Sequence, residues 1–470
     1  MTQVGRPQAF GPARGGAGAR VAERPAAPGW ALAIVVALVA TLVGRLNELV
    51  PQLAPLRPVL LLSTFGLAAL FARSSPERRE AMFRDPTLRL VLAYLVWAAC
   101  TVPFALWRRE AVNSMLPVVS GTLLVTAILL LPSANAVVSR IVSALVASTA
   151  IYTVALLMWG SEVVDERRQL GGGGTLAANE LAALEAMAFP FALGLAMRTS
   201  GRRRAAALAA AGLLVLGITA TGSRGGTLAV TFGALVYMLG HRGRTKFLIL
   251  LALVGGGAVA AVVAPPTYRE RIAALLRGEK DYNYTDFGGR KQVWARGVGY
   301  FLEHPVVGVG TGNFDIAEGE NLRRLGIRGK WSAPHNAYLE AFVDLGLPGG
   351  LLFLGLWLLT FGRASRYWSP SAEATRSGRL HRPELLAATC ALGVSAYFLS
   401  MAYSYTLFGL LGIVALSDQR QRAVHAPQHA RAGAGSGRTP RIPVQHARGM
   451  GSIQPPRAPP DGTSPRRAAG

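Results

Sequence analysis

Three short segments of this 470-residue chain carry side chains suited to anion recognition and proton transfer. The first, Thr221-Gly222-Ser223-Arg224-Gly225-Gly226, sets an arginine among glycines between two apolar stretches. Glycine lets the backbone turn tightly and leaves N–H groups available, as an oxyanion or phosphate site requires. An arginine at the edge of hydrocarbon is costly unless its head reaches water or meets an anion. Taken alone, a snorkelling arginine on a Gly-rich turn is the simpler account.

The second segment begins at Gly289-Arg290-Lys291-Gln292-Val293-Trp294 and runs to Asn313. Trp294, Val298, Phe301 and Leu302 recur at helical spacing, with Arg290 opening the same face. That pattern predicts a helix lying along a membrane–water boundary, apolar face down. His304-Pro305 ends it, and Gly308, Gly310 and Gly312 predict a flexible turn into Asn313-Phe314. The G-x-G-x-G is no nucleotide fingerprint, because no strand precedes it and no βαβ unit surrounds it. An interfacial helix without chemistry is the competing account.

The third is Pro334-His335-Asn336-Ala337-Tyr338-Leu339-Glu340, continuing to Gly346-Leu347-Pro348-Gly349-Gly350. A lone boundary histidine is more often interfacial than catalytic. Here, however, Glu340 and Asp344 follow four apart on one helix face, one to two turns into an apolar run. Ionisable groups inside a membrane mark functional sites by default.

The elements that must position these segments are apolar helices. Hydrophobic residues make up 51% of the chain and charged ones 16%, too little charge for a soluble protein of this length. About 20 helical residues cross a hydrocarbon core. By that measure spans fall near 30–49, 56–72, 88–107, 112–131, 136–158, 177–197, 205–221, 226–240, 245–264, 337–361, 384–400 and 402–417. The fold class is thus all-α: a polytopic membrane protein of about twelve helices, with a large loop at 265–336 that contains short amphipathic helices. Residues 1–28 and 418–470 are Arg/Ala/Gly/Pro-rich and expected to be disordered flanks of a 29–417 membrane domain. Cys100 and Cys390 lie in apolar runs, so neither a disulfide framework nor a cysteine metal site is expected.

Basic residues exceed acidic ones by 24 (49 against 25), but they are dispersed between spans and not gathered on one domain. That argues against nucleic acid and for loops facing anionic lipid. The Arg-rich connections 73–87, 198–204, 241–246 and 362–383 all fall on one side if both termini are cytoplasmic. The loop 265–336, with eleven basic residues, then faces outward, since loops of that length translocate regardless of charge.

His335-Asn336, nine residues, Gly346, two residues, Gly349-Gly350 resembles the signature of the O-antigen ligase and polymerase superfamily. Ser223-Arg224-Gly225 resembles its Ser-Arg-Gly segment, and Arg290…Trp294…His304-Pro305…Gly308-x-Gly-x-Gly-Asn313-Phe314 its loop sequence. Gly174-Thr175 followed by Asn179 resembles a Gly-Thr-x-x-Asn segment more weakly. The likeness spans roughly residues 170–360.

The resemblance implies a bacterial inner-membrane enzyme with both termini cytoplasmic. Such an enzyme moves a glycan from an undecaprenyl-diphosphate carrier onto lipid A core, another glycan or a protein, inverting the anomeric carbon. It implies His335, Arg224 and Arg290 as catalytic residues, and Ser223, Asn336, Trp294, Asn313, Tyr338 and Glu340 as substrate-binding ones. Two arginines suit the departing diphosphate, because the planar guanidinium fork fits phosphate oxygens. No cofactor is expected, and no Asp-x-Asp or His/Cys/carboxylate ligand pattern calls for a metal. Nine aromatics in 265–336 (Tyr268, Tyr282, Tyr284, Phe287, Trp294, Tyr300, Phe301, Phe314, Trp331) offer a surface for sugar rings or interfacial anchoring. The alternative from a different class is a transporter of a small anion such as bicarbonate. Against it, no internal repeat is visible and the distinctive residues gather at one face.

Overall fold

The computed structural model describes residues 28–50, 58–160, 177–263, 288–328, 331–368 and 381–434, with two short strands between 162 and 169. The flank 1–27, most of the loop between 264 and 287, and the tail 435–470, for which disorder or sugar-binding aromatics are expected, lie outside the described residues.

The apolar runs fold as helices: α1 (Gly29–Leu38, continued by a π turn, Val39–Val43), α2 (Pro58–Ala72), α3 (Pro76–Phe83), α4 (Pro86–Thr101) and α5 (Arg108–Leu130) come first. Then follow α6 (Asn135–Trp159), α7 (Ala178–Arg198), α8 (Gly201–Thr221), α9 (Arg224–Leu239) and α10 (Gly243–Val263). Two amphipathic helices, α11 (Arg290–Glu303) and α12 (Phe314–Arg324), precede α13 (Ala337–Ser365), α14 (Pro383–Tyr397) and α15 (Tyr405–Ala434). Apart from these helices, Glu162–Val164 pairs antiparallel with Arg167–Gln169 in a small hairpin.

Each expected span falls on a helix. Among the described residues, six are long and apolar enough to cross a membrane: Pro86–Phe104, Arg108–Leu130, Asn135–Trp159, Ala178–Arg198, Gly201–Thr221 and Ala337–Ser365. The chain is a multi-pass membrane protein. Some expected boundaries move for local reasons. The first span stops at Val43, where Gly44 and a left-handed Arg45 (φ 58°) lead into a 3-10 turn, Leu46–Leu49. The third gives way to a 3-10 turn at Val102–Phe104, which contains Pro103. The last helix runs to Ala434, beyond the expected boundary at 417, and its Asp418 is buried against Arg363 and Arg366.

α7 is the central helix. Its apolar window is 83% buried, against 39% for α8, and α6, α8, α9 and α14 pack around it. At one end of the helices, the end of the Arg-rich connections, Arg363 is 1% exposed. It is held by Asp85 (2.9 Å), Thr87 (2.6 Å) and Asp418 (3.4 Å). A buried guanidinium is tolerable only with such partners. The three chemical motifs lie at the opposite end.

Candidate functional site

Each motif is fixed by the start of a helix. Gly222 ends α8 in the left-handed conformation (φ 63°), and the Ser223 hydroxyl then caps α9 by accepting from Gly226 N–H at 3.2 Å. Arg224 is therefore the first residue of α9 and Arg290 the first of α11. A helix N-terminus presents unpaired N–H groups and favours negative charge nearby. Asn336 caps α13, its Oδ1 accepting from the N–H of Tyr338 and of Leu339, both at 3.1 Å. His335 stands immediately before that cap, exposed and at φ 46°.

One segment brings these starts together, the connection Phe398–Ser404 between α14 and α15. A side-chain carbon at Gly225 would lie 3.2 Å from Phe398. The Trp294 ring packs edge-on against Tyr397 at 5.4 Å, and its indole N–H donates to Pro334 O at 2.7 Å. The His335 N–H donates to Ser400 Oγ at 3.1 Å. One turn into α13, Glu340 Oε2 accepts from Ala402 N–H at 3.0 Å, and Asp344 Oδ2 accepts from the Tyr403 hydroxyl at 3.0 Å. The Arg224 and His335 segments and the two acids thus share neighbours within seven residues of chain, while the Arg290 helix packs its Trp294 on the adjoining Tyr397 of α14.

The glycines build the frame. α13 breaks at Gly346 (φ 66°, ψ −170°), a conformation essentially confined to glycine. The break releases the carbonyls of Val343 and Asp344, which accept from Val309 N–H and Gly310 N–H, each at 2.9 Å. In return Leu347 N–H donates to Pro305 O at 2.8 Å, and Gly312 N–H donates to Asp344 Oδ2 at 3.0 Å. At Gly310 (φ 104°) any side-chain carbon would sit 2.5 Å or less from Ala105. The Gly308-x-Gly-x-Gly segment, expected to be a flexible turn, is therefore pinned between the broken span and α4. Its end is pinned too: Asn313 is fully buried, accepting from Trp107 N–H at 2.7 Å and donating to Thr311 O at 2.9 Å.

The expected lower face of α11 is only partly the packed one. Val293, Gly297 and Tyr300 are buried, with Trp294 and Phe301 half-buried beside them, while Val298 and Leu302 stay exposed. The buried face exists because Arg296 Nε and the Tyr300 hydroxyl both reach Glu318 of α12, at 3.0 Å and 2.7 Å. Burial first, then the Glu318 hydrogen bond, pushes the Tyr300 hydroxyl well above its ordinary pKa; that same carboxylate holds Arg296 charged. Of the described loop aromatics, Tyr300 and Phe314 enter this small core and Trp331 covers Gly319.

Several expected substrate-binding groups are thus structural in this conformation: Ser223 and Asn336 as caps, Asn313 as a pin, and Trp294 as a brace. The Tyr338 hydroxyl donates to Gly393 O at 3.2 Å, while its ring meets Phe353 and Trp357. The arginines and His335 are the groups whose chemistry exceeds framing. Two guanidiniums and helix N-termini at one end of a membrane bundle suit an anionic lipid headgroup, and an exposed imidazole beside them suits proton transfer. Among the described residues no group of three or more His, Cys, Asp or Glu side chains is placed to hold a metal ion.

Residues 208–354 match the family model of the O-antigen ligase, Wzy_C. Over this stretch the chain is similar to the O-antigen ligase/polymerase superfamily. The ligase domain takes in Arg224, Arg290, His335 and the glycines at 346, 349 and 350. It excludes the Phe398–Ser404 segment on which the motifs meet, and Arg45. No curated protein shows a significant match to the chain.

Sequence reasoning missed two things here. Arg45 and Glu48, ion-paired at 2.7 Å, are absorbed into an expected span of 30–49. The Ser400–Ser404 break reads as a minor interruption between two spans. The signal available for the first was a charged pair three residues apart inside an apolar run.

Proposed function

We propose that this protein transfers a glycan from an undecaprenyl-diphosphate-linked donor to an acceptor at the outer face of the bacterial inner membrane, as an inverting, metal-independent glycosyltransferase. The observation that carries this reading is that the Arg224 and His335 segments meet on the Phe398–Ser404 connection, with Trp294, one turn after Arg290, packed on the adjoining Tyr397, all at the helix end away from the Arg-rich loops. By the positive-inside rule that end is the outer one, with both chain termini cytoplasmic.

In the proposed reaction an acceptor hydroxyl gives its proton to the imidazole of His335 as its oxygen attacks the anomeric carbon from the face opposite the diphosphate. The bond from that carbon to the diphosphate oxygen breaks, and its electron pair leaves with undecaprenyl diphosphate. Arg224 and Arg290 stabilise the charge that develops there, where water is scarce and fixed cations count most. The proton then passes from His335 to solvent.

An anion transporter is the less favoured reading. The group buried deep between α6, α7 and α8 is Glu185, whose Oε1 accepts from Thr153 at 2.7 Å. Its Oε2 has no hydrogen-bond partner among the described residues. A carboxyl at that depth offers a small anion no positive charge to rest on. The test is the surface-glycan profile of a strain lacking the gene. Glycan transfer predicts lipid-linked glycan accumulating with loss of ligated or extended product; an unchanged profile refutes it.

A further inference from the structure

Beside the motif cluster lies a cavity of about 180 Å³, walled by Arg45, Glu180 and the segment from Ser400 to Thr406. Building on the glycan-transfer reading, we infer that this cavity seats a neutral sugar ring of the acceptor and presents its hydroxyl to His335.

Size limits the occupant first. The volume is below the ~300–1,000 Å³ of drug-sized sites. That is room for one sugar ring. Charge then separates sugar from diphosphate. Arg45 is held by Glu48 at 2.7 Å and faces Glu180 at 4.0 Å, so one cation stands among two carboxylates. A lipid diphosphate would meet net negative charge. A polyhydroxyl ring meets carboxylate acceptors, guanidinium donors, and the hydroxyls of Ser400, Ser404 and Thr406, all on the cavity wall. Tyr405 supplies a flat apolar face, with the Arg45 guanidinium 5.8 Å from its centroid. Aromatic faces suit the C–H surface of a sugar.

Position ties the cavity to the reaction. Ser400 lines it and also takes the backbone hydrogen bond of His335. Arg45 (φ 58°) and His335 (φ 46°) are the two non-glycine residues with positive φ among those described. One lines the cavity and the other is bonded to its wall. Strained backbone of this kind gathers at ligand sites, where the surrounding structure holds it.

The test uses purified full-length protein. Acceptor-bearing membranes of the deletion strain are titrated against an excess of lipid-linked glycan extracted from that strain, and undecaprenyl diphosphate binding is measured separately. Glu180→Gln, nearly isosteric, and Tyr405→Ala should raise the acceptor level needed for half-maximal transfer about tenfold. Tyr405→Phe, which keeps the ring, should stay near wild type. All three should bind undecaprenyl diphosphate as wild type does, which also shows that they are folded. Unchanged acceptor dependence in Glu180→Gln and Tyr405→Ala overturns the inference, as does a loss of undecaprenyl diphosphate binding matching that of Arg224→Ala. Wild-type protein that transfers nothing refutes the glycan-transfer reading itself.

Discussion

The hydroxyl of Ser400 accepts a hydrogen bond of 3.1 Å from the backbone N–H of His335, a residue held at φ 46°. The bond fixes the peptide that carries the proposed base. Ser400→Ala should lower transfer about fivefold, the weight of one net hydrogen bond of ~1 kcal/mol. Ser400→Thr keeps the hydroxyl and should recover most of it. Equal loss in both variants, measured as glycan product per cell at matched protein abundance, would argue against the bond.

In the proposed transfer, Arg224→Ala and Arg290→Ala each remove a cation from the departing diphosphate. Each should slow transfer roughly a hundredfold, about 3 kcal/mol of transition-state stabilisation. Lysine should rescue only in part, because it lacks the bidentate fork. His335→Ala should abolish or severely reduce transfer with normal abundance, since His335 is exposed and contributes little packing. Arg323 and Arg324, exposed at the end of α12, are the controls and should tolerate alanine. Near-normal transfer by His335→Ala, or control arginines that matter equally, would mean the constellation is misassigned.

If two guanidiniums supply the charge that Mg²⁺ supplies to many sugar transferases, transfer by purified protein should persist in EDTA. Activity lost in EDTA and restored by Mg²⁺ or Mn²⁺ would defeat the two-arginine account.

The orientation is open to reporter fusions. A periplasm-active reporter should be silent after Arg204, in the first turn of α8 at the Arg-rich end, and active after Gly326 in the loop. Matching signals at the two sites would reverse the inside–outside assignment.

The Arg-rich end should carry a pH dependence. The His241 ring lies 4.8 Å from Tyr237 and 5.0 Å from His381, and its Nε2 is buried without a hydrogen-bond partner among the described residues. Burial first, then His381, lowers its pKa below the ordinary ~6.5, although Glu384, paired with Arg198 at 2.7 Å, acts the other way. The unfolded chain then binds the proton more readily than the folded one, so stability is greatest above ~6.5 and falls as pH drops below it. Thermal unfolding in detergent between pH 7.5 and 5 should show this decline, and His241→Gln should flatten it.

Much of the fold was legible because apolar runs of span length have few alternatives, and every expected span lies on a helix. The motif glycines and Arg224, Arg290 and His335 were legible because charged or Gly-rich groups at the ends of apolar runs are conspicuous. What composition hides is shape. Phe398-Leu-Ser-Met-Ala-Tyr-Ser404 looks like a slightly polar piece of membrane helix, and only its folded path shows that the motifs meet there. On α11 the periodicity at Trp294, Val298, Phe301 and Leu302 is real, but the Arg296–Glu318 pair rotates the neighbouring Val293, Gly297, Tyr300 stripe inward. Arg45 was lost because a single charge barely dents a long apolar window.

The exchange of hydrogen bonds across the break at Gly346 also sets the limits of modularity. Pro305, Val309 and Gly310 complete the backbone of α13 at Leu347, Val343 and Asp344, and Gly312 N–H is completed by the Asp344 carboxylate. A loop transplanted between relatives with a seam anywhere between 313 and 343 would bring half of that set to a foreign partner. A functional chimera should therefore need both halves from one parent, with seams placed before α11 and after Gly350, so that loop and broken span pass between proteins as a single heritable part.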